Sequence, residues 1–206
     1  MPADVQDLIR RHLRLAPAPA LPEIRLYQAH PASGLSHRLG DQAHTPYWAY
    51  GWAGGTALAR FILDHPQQVA GCRVLDLGTG SGVVAIAAAL SGAQCVFAVD
   101  SDPNALVASE LNARANAVTL TLAQDIPSPD QLDLVLAGDI FYDEPTANYM
   151  TPLLRDLSAA GLRVLVGDPG RKWLPMTHLK HLADYTVPDF GRTAEDLRPS
   201  AVYAFR

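Results

Sequence analysis

Val74-Leu75-Asp76-Leu77-Gly78-Thr79-Gly80-Ser81-Gly82 is the stretch that decides the fold. An apolar run of strand length enters a loop with three glycines, and Val83 to Leu90 then reads as a helix. Glycine lets the backbone turn tightly and lets a ligand approach without a Cβ in the way. Outward from this point the same rhythm repeats. Strand candidates are residues 73–77, 95–99, 118–122, 132–137 and 162–167, short apolar runs of the kind that are covered on both faces. Helix candidates between and before them are 52–63, 83–90, 103–116 and 146–157, the third punctuated by Asp102 as cap and Pro103 in its first turn. Two further strand candidates, 185–187 and 201–205, close the chain. Strands alternating with helices imply an α/β, doubly wound, largely parallel sheet. In such sheets the ligand lies outside the carboxyl ends of the strands, so functional residues are expected just after each strand.

The acids follow that rule. Asp76 precedes the glycines, Asp100 ends the second strand, and Asp125 follows the third. Two ligands suit a glycine loop with an acid beyond it: a dinucleotide and S-adenosylmethionine. The dinucleotide fingerprint G-x-G-x-x-G would need glycine where Val83 stands; the spacing here is G-x-G-x-G. A pyrophosphate gains nothing from Asp76, whereas a ligand with an ammonium and a sulfonium gains a counter-charge. Asp100, about 20 residues past the loop, suits a hold on ribose hydroxyls and fits either ligand. Asp125 reads equally as an acceptor for an adenine amino group and as a loop residue turning before Pro127.

Composition narrows the class. The chain has 206 residues, 49% hydrophobic and 18% charged, enough for one domain with a core. A net charge of −5 argues against a general nucleic-acid binder, which needs surplus Lys and Arg against phosphates. No apolar run is long enough to span a membrane. The charged N-terminus lacks the apolar core of a secretory signal, so a cytoplasmic protein is expected. Cys72 and Cys95, the two cysteines, fit no metal motif and read as buried free thiols. His178 and His181 are spaced to share a helix face but have no third ligand, so no metal site is expected. Nearly all basic residues are Arg, with Lys172 and Lys180 the only lysines. At the N-terminus Val5, Leu8, Ile9, His12 and Leu13 recur at helical spacing, and the Ala-Pro tract 16–22 reads as an extended linker. Ile24 to Tyr27 reads as a short strand. Residues 1–45 are thus an expected appendage and linker, and 46–206 the main domain.

With Asp76 to Gly82, Asp100 and the strand order in hand, the chain resembles the class I, seven-strand S-adenosylmethionine-dependent methyltransferases from about Trp48 onward. The resemblance implies a Rossmann-like sheet of order 3-2-1-4-5-7-6 with the last strand antiparallel. Three more segments narrow it: Pro46 to Gly55 (PYWAYGWAGG), Gly138-Asp139-Ile140-Phe141-Tyr142, and Gly167-Asp168-Pro169-Gly170-Arg171. These, with Glu23-Ile24-Arg25-Leu26, are similar to protein-lysine methyltransferases marked by D-x-x-Y after the fourth strand, in particular the electron transfer flavoprotein β-subunit lysine methyltransferase family. Many relatives carry Pro where this chain has Ala53.

The resemblance implies a protein-lysine N-methyltransferase acting on the electron transfer flavoprotein β-subunit, with S-adenosyl-L-homocysteine as co-product. It implies a donor site of Trp52, Asp76, Gly78, Thr79, Gly80, Gly82, Asp100, Ser101, Asp125 and Gly138. Asp139 and Tyr142 are the expected catalytic pair at the acceptor mouth, Asp139 orienting the amine and Tyr142 packing on its methylene stem. The competing readings are a helix cap for Asp139 and a core aromatic for Tyr142. Asp168 and Arg171 either line the acceptor side or form a plain turn. Trp52 is expected nearer the ligand than Trp48. Other functions stay open at this point: a small-molecule amine methyltransferase, or a nucleotide-binding adaptor or oxidoreductase on the same fold. A nucleic-acid acceptor would favour prolines between Asp139 and Tyr142, and there are none.

Overall fold

In the computed structural model, residues 2–35, 46–189 and 197–206 are described. Helix α1 (Pro2–His12) leads into a hairpin of β1 (Arg14–Ala18) and β2 (Leu21–Gln28). Helix α2 (Ala53–Asp64) precedes the alternating part: β3 (Arg73–Leu77), α3 (Val83–Leu90), β4 (Cys95–Val99), α4 (Pro103–Ala115), β5 (Thr121–Ala123), β6 (Leu134–Gly138), α5 (Glu144–Ala159) and β7 (Arg163–Asp168). Strands β8 (Leu179–Pro188) and β9 (Leu197–Phe205) finish the chain. The main sheet has the order β5-β4-β3-β6-β7-β9-β8. Counted from β3 as the first strand, this is the expected 3-2-1-4-5-7-6. β9 lies between β7 and β8 and is antiparallel to both; β3 to β7 pair in parallel.

Both faces of the sheet are covered, which is why its strands read as continuous apolar runs. On one face Leu134, Leu136, Val74 and Leu165 pack with Leu58, Ile62 and Ile86 of α2 and α3. On the other, Leu75, Val135 and Val166 pack with Leu154 and Leu157 of α5. α4 starts as its sequence dictates: the Asp102 carboxylate accepts the Asn104 amide at 2.8 Å, and Pro103 needs no N–H partner in the first turn.

Several expectations shift. The Ala-Pro tract is a hairpin rather than a linker. Ala20, at φ 61°, makes the reversal, and Ala18, Leu21, Ile24 and Leu26 enter the core. Side chains of α4 supply the pairing that β2's outer edge would otherwise lack. The Asn116 Oδ1 accepts the Arg25 amide and the Asn112 Oδ1 accepts the Tyr27 amide, each at 2.8 Å. The third sheet strand begins at Thr121 instead of Val118, because the Val118 amide is donated to Ala113 to close α4. β8 is much longer than residues 185–187; it is an edge strand whose exposed Lys180, His181 and Leu182 mask the strand pattern. His178 and His181 therefore share no helix: His178 stacks on Phe205, and His181 faces Asp184 at 2.8 Å. Cys72 and Cys95 are free thiols but only half-buried. The expected boundary at residue 45 falls beside residues 36–45, outside the described ones. Among the described residues no helix is long and apolar enough to cross a membrane.

Helix α2 reaches the sheet through glycine. A Cβ on Gly138 would lie 2.8 Å from the Cα of Gly55, and one on Gly167 would overlap the Gly54 carbonyl oxygen. The helix thus lies backbone to backbone on the ends of β6 and β7. That contact sets where its N-terminus sits relative to the site.

Candidate functional site

The site lies at the carboxyl ends of β3, β4, β6 and β7. An open cavity is lined by Tyr50, Trp52, Gly55, Asp76, Gly78, Thr79, Gly80, Ser81, Val83, Val84 and Gly138. Six of the ten residues expected at the donor site therefore line it: Trp52, Asp76, Gly78, Thr79, Gly80 and Gly138. Gly82 and Asp100 frame it instead. Gly78, Gly80 and Gly82 all have positive φ, 71°, 53° and 80°, so the loop needs residues without Cβ strain at these turns. The Asp100 Oδ2 accepts the Gly80 amide at 2.9 Å and its Oδ1 accepts the Asp102 amide at 3.0 Å. Ser101 and Asp125 are exposed and do not line the cavity; Ser101 is joined to Gln124 through its carbonyl. Both sit where β4 and β5 end, outside the cavity wall.

Helix α4 holds the glycine loop from behind. Ser109 Oγ donates to the Gly80 carbonyl at 3.0 Å and Asn112 Nδ2 to the Ser81 carbonyl at 2.8 Å. Both side chains are fully buried. Asn112 thus joins the N-terminal hairpin to the ligand loop. A polar residue on the inner face of a helix reads as an interruption of the apolar pattern, and nothing local marks it as functional.

Asp76 is a strongly perturbed acid. It is 2% exposed, and its Oδ2 accepts from Thr79 Oγ1 at 2.6 Å and from the Ala85 amide at 3.1 Å. Burial outweighs these bonds and pushes its pKa up to about 7. Burial also raises Asp100, Asp139 and Asp168, the last to about 6. A carboxyl whose folded pKa exceeds its unfolded value near 3.9 binds more protons when folded, so stability falls as pH rises between the two values. The ligand-free protein is therefore expected to lose melting temperature between about pH 4 and pH 7. Asp76→Asn should flatten that slope in a melting series across pH; an unchanged slope would assign it elsewhere.

The second half of the site is a mouth beside the cavity. Asp139 has φ 58°, which turns its carboxylate back onto α2. Helix α2 has no side-chain cap of its own, since Trp52 stands at the cap position. The Asp139 Oδ2 accepts the amides of Gly54 and Gly55, and the Asp189 carboxylate accepts that of Ala53 at 3.2 Å. Asp139 is a cap, but of the distant α2; α5 is capped by Asp143, which accepts the Thr146 amide at 2.8 Å. The Asp139 Oδ1 takes Arg171 Nε at 2.8 Å and Nη2 at 2.5 Å. Both oxygens of Asp139 are thus engaged. Arg171 is placed by the turn after β7, where its amide donates to Asp168 Oδ1 at 2.7 Å. The turn reading of Asp168 to Arg171 is realised, and the turn brings Arg171 against Asp139.

Aromatic rings complete the mouth. Tyr47 lies 5.6 Å from Trp52 and stacks on Tyr142 at 5.9 Å, while the Arg171 guanidinium lies 5.8 Å from the Trp52 ring centre. Trp52 Nε1 donates to the Tyr47 carbonyl at 2.9 Å, which fixes the indole. Tyr142 is 52% exposed and Tyr47 50%, so Tyr142 is no core aromatic. Trp48, by contrast, is 2% exposed and packs against α1 and α4. Tyr47, Tyr50, Gly55 and Ser81 belong to the site without having been singled out. The first three lie in the aromatic-glycine segment that leads into α2 and forms its first turn, whose density of rings was their signal.

Residues 51–154 match the family model described as ribosomal protein L11 methyltransferase. The electron transfer flavoprotein β-subunit lysine methyltransferase of Rattus norvegicus is 43% identical over 78% of this chain and 67% of its own length. That of Xenopus laevis is 37% identical over 97% of this chain and 86% of its own. Among solved structures, a ribosomal protein L11 methylase from Lactobacillus delbrueckii subsp. bulgaricus shares the fold, with a TM-score of 0.54 and 21% identity over 76% of this chain and 81% of that one.

Proposed function

We infer the function from this premise: the chain belongs to the S-adenosylmethionine-dependent methyltransferases, in the family of electron transfer flavoprotein β-subunit lysine methyltransferases. On that premise it transfers methyl groups to lysine side chains of a protein substrate, the electron transfer flavoprotein β-subunit, and releases S-adenosyl-L-homocysteine. The observation that carries this reading is the convergence of Asp76, the 78–80 loop, Trp52 and Gly138 on one cavity that opens beside an exposed aromatic mouth. The half-exposed Tyr47 and Tyr142 suit a side chain presented on a protein surface better than a small amine that needs enclosure.

The cavity fits the donor in three respects. The positive-φ glycines let the chain wrap the ligand closely, Asp76 gives the ammonium a counter-charge, and the Asp100 carboxylate lies at the end of β4 for the ribose. When bound, S-adenosylmethionine supplies an electrophilic methyl on a sulfonium. The residues of the chain align, exclude water and present the acceptor. Trp52 walls the cavity on the mouth side. Tyr47 and Tyr142 take the methylene stem of the lysine. Asp139 sets the mouth through α2 and Arg171 rather than by touching the amine. In-line displacement needs a neutral nitrogen, and a lysine ammonium with an ordinary pKa near 10.4 must first lose its proton. Desolvation among the rings favours that loss.

We also propose residues 1–45 as an appendage to a domain spanning 46–206, since the hairpin and α1 pack on α3 and α4 and add no strand to the main sheet. The cytoplasm is the proposed compartment, in keeping with two free thiols. The test is transfer of labelled methyl from S-adenosylmethionine to purified electron transfer flavoprotein, followed by mass spectrometry. Mass gain on the β-subunit is expected. No gain there, with labelling of a small amine instead, would overturn the substrate assignment and leave the family standing.

A further inference from the structure

Arg171 does not line the donor cavity, yet it is a firmly anchored cation at the mouth. Its guanidinium is 18% exposed, closes on the one Asp139 oxygen that α2 leaves over, and lies 5.8 Å from the ring centre of Trp52. Trp52 lines the donor cavity, so the positive charge stands one indole away from it. We propose that Arg171 is a positioning residue for the transfer: by occupying Asp139 and cancelling its charge at the mouth, it lets the lysine nitrogen arrive uncharged. This rests on the lysine methyltransferase reading above.

The charge count supports it. Three carboxylates surround the mouth and α2. Asp139 faces it from the end of β6, Asp168 from the end of β7, and Asp189 from beyond β8. Asp189 is paired with Arg198 of β9 at 3.1 Å. Asp168 is fully buried, and its Oδ2 accepts no hydrogen bond among the described residues. The phenols of Tyr47, Tyr142 and Tyr203 are further titratable groups there. Without Arg171, Asp139 would be unpaired and would hold a lysine ammonium by ordinary charge pairing. That is the form that cannot attack the methyl group. A cation beside an amine disfavours its protonated form; an uncancelled carboxylate favours it. Arg171 acts by cancelling Asp139: the pair carries no net charge, whereas a bare carboxylate would favour the ammonium.

The test is the pH dependence of kcat, which reports the bound complex, with purified electron transfer flavoprotein as substrate. Arg171→Gln keeps a hydrogen-bond donor for Asp139 and removes the charge. Its ascending limb should move up by about one pH unit, so that kcat at pH 7 falls about tenfold while the rates converge at high pH. Arg171→Lys should leave the limb near the wild-type position. Asp139→Asn leaves the arginine uncancelled, so its residual activity should show the limb displaced to lower pH. S-adenosylhomocysteine binding by each variant checks folding, and if Arg171→Gln does not fold, the opposite shift in Asp139→Asn carries the test. A rate lowered by one factor at every pH, or a limb that stays put in both variants, overturns the proposal. Wild-type protein that methylates no lysine fails the functional reading instead, before any limb is measured.

Discussion

Asp139→Ala lowers kcat/KM at least a hundredfold, well beyond what one lost hydrogen bond would explain. The carboxylate ties three things together: the Gly54 and Gly55 amides at the start of α2, the Arg171 guanidinium, and the end of β6. Alanine leaves the amides without their acceptor and Arg171 as a largely buried cation without its partner. Removing one member of such a pair destabilises by about 3–5 kcal/mol. The catalytic loss follows from position. Trp52 and Gly55 at the start of α2 line the donor cavity, and a misplacement of about 1 Å at a reacting centre lowers a rate by about a hundredfold. Steady-state kinetics with a melting curve checks both parts. An alanine variant with near-normal turnover would remove Asp139 from the machinery. One with normal stability and no turnover would instead give it a direct role on the acceptor.

Gly167→Ala is the largest expected effect on stability. The added methyl would overlap the Gly54 carbonyl oxygen and stand 2.7 Å from Leu58 Cβ. Neither neighbour is the free end of a flexible side chain, so strand β7 and helix α2 must separate. Overpacking of this kind costs about 3 kcal/mol or more when backbone has to move, which lowers the melting temperature by roughly 6–12 °C in a chain of this length. Chemical denaturation measures it directly. A change below about 1 kcal/mol would show that α2 is free to slide on the sheet. Because α2 carries Trp52, Gly54 and Gly55 at its start, S-adenosylhomocysteine binding should weaken along with stability. Gly161→Ala, where a Cβ would meet nothing within 4 Å but φ is 91°, serves as a control for strain without overlap.

The two effects have a common root in how α2 is held. Its own sequence, Trp52-Ala53-Gly54-Gly55, offers no capping side chain. The orphan amides at its start are satisfied by Asp139 and Asp189, from strands far along the chain, and each carboxylate is balanced by an arginine. Glycines on both sides of the contact, Gly54 and Gly55 against Gly138 and Gly167, let the backbones approach closely enough for those bonds to form.

By itself the sequence determined the sheet and the place of the site. Strands covered on both faces must be apolar throughout, so β3, β4, β6 and β7 announce themselves, and Asp76, Gly78, Gly80 and Asp100 follow from the rule that ligands lie beyond strand ends. Periodicity also located α3 and α4, whose apolar faces and Asp102-Pro103 start are local signals. What it left out depends on pairs distant along the chain. The hairpin at 14–28 is satisfied by Asn112 and Asn116 of α4, so its Ala-Pro composition alone suggests a linker. Edge strand β8 needs only one apolar face, so most of it carries no strand pattern. Asp139 reads as a cap or as an amine binder, and only the fold decides which amides and which cation meet its two oxygens. Arg171 reads as the end of a turn until the sheet brings it beside Asp139, 32 residues earlier in the chain. Local chemistry sets a residue's capacity to bond; the partner that uses the capacity is chosen by packing.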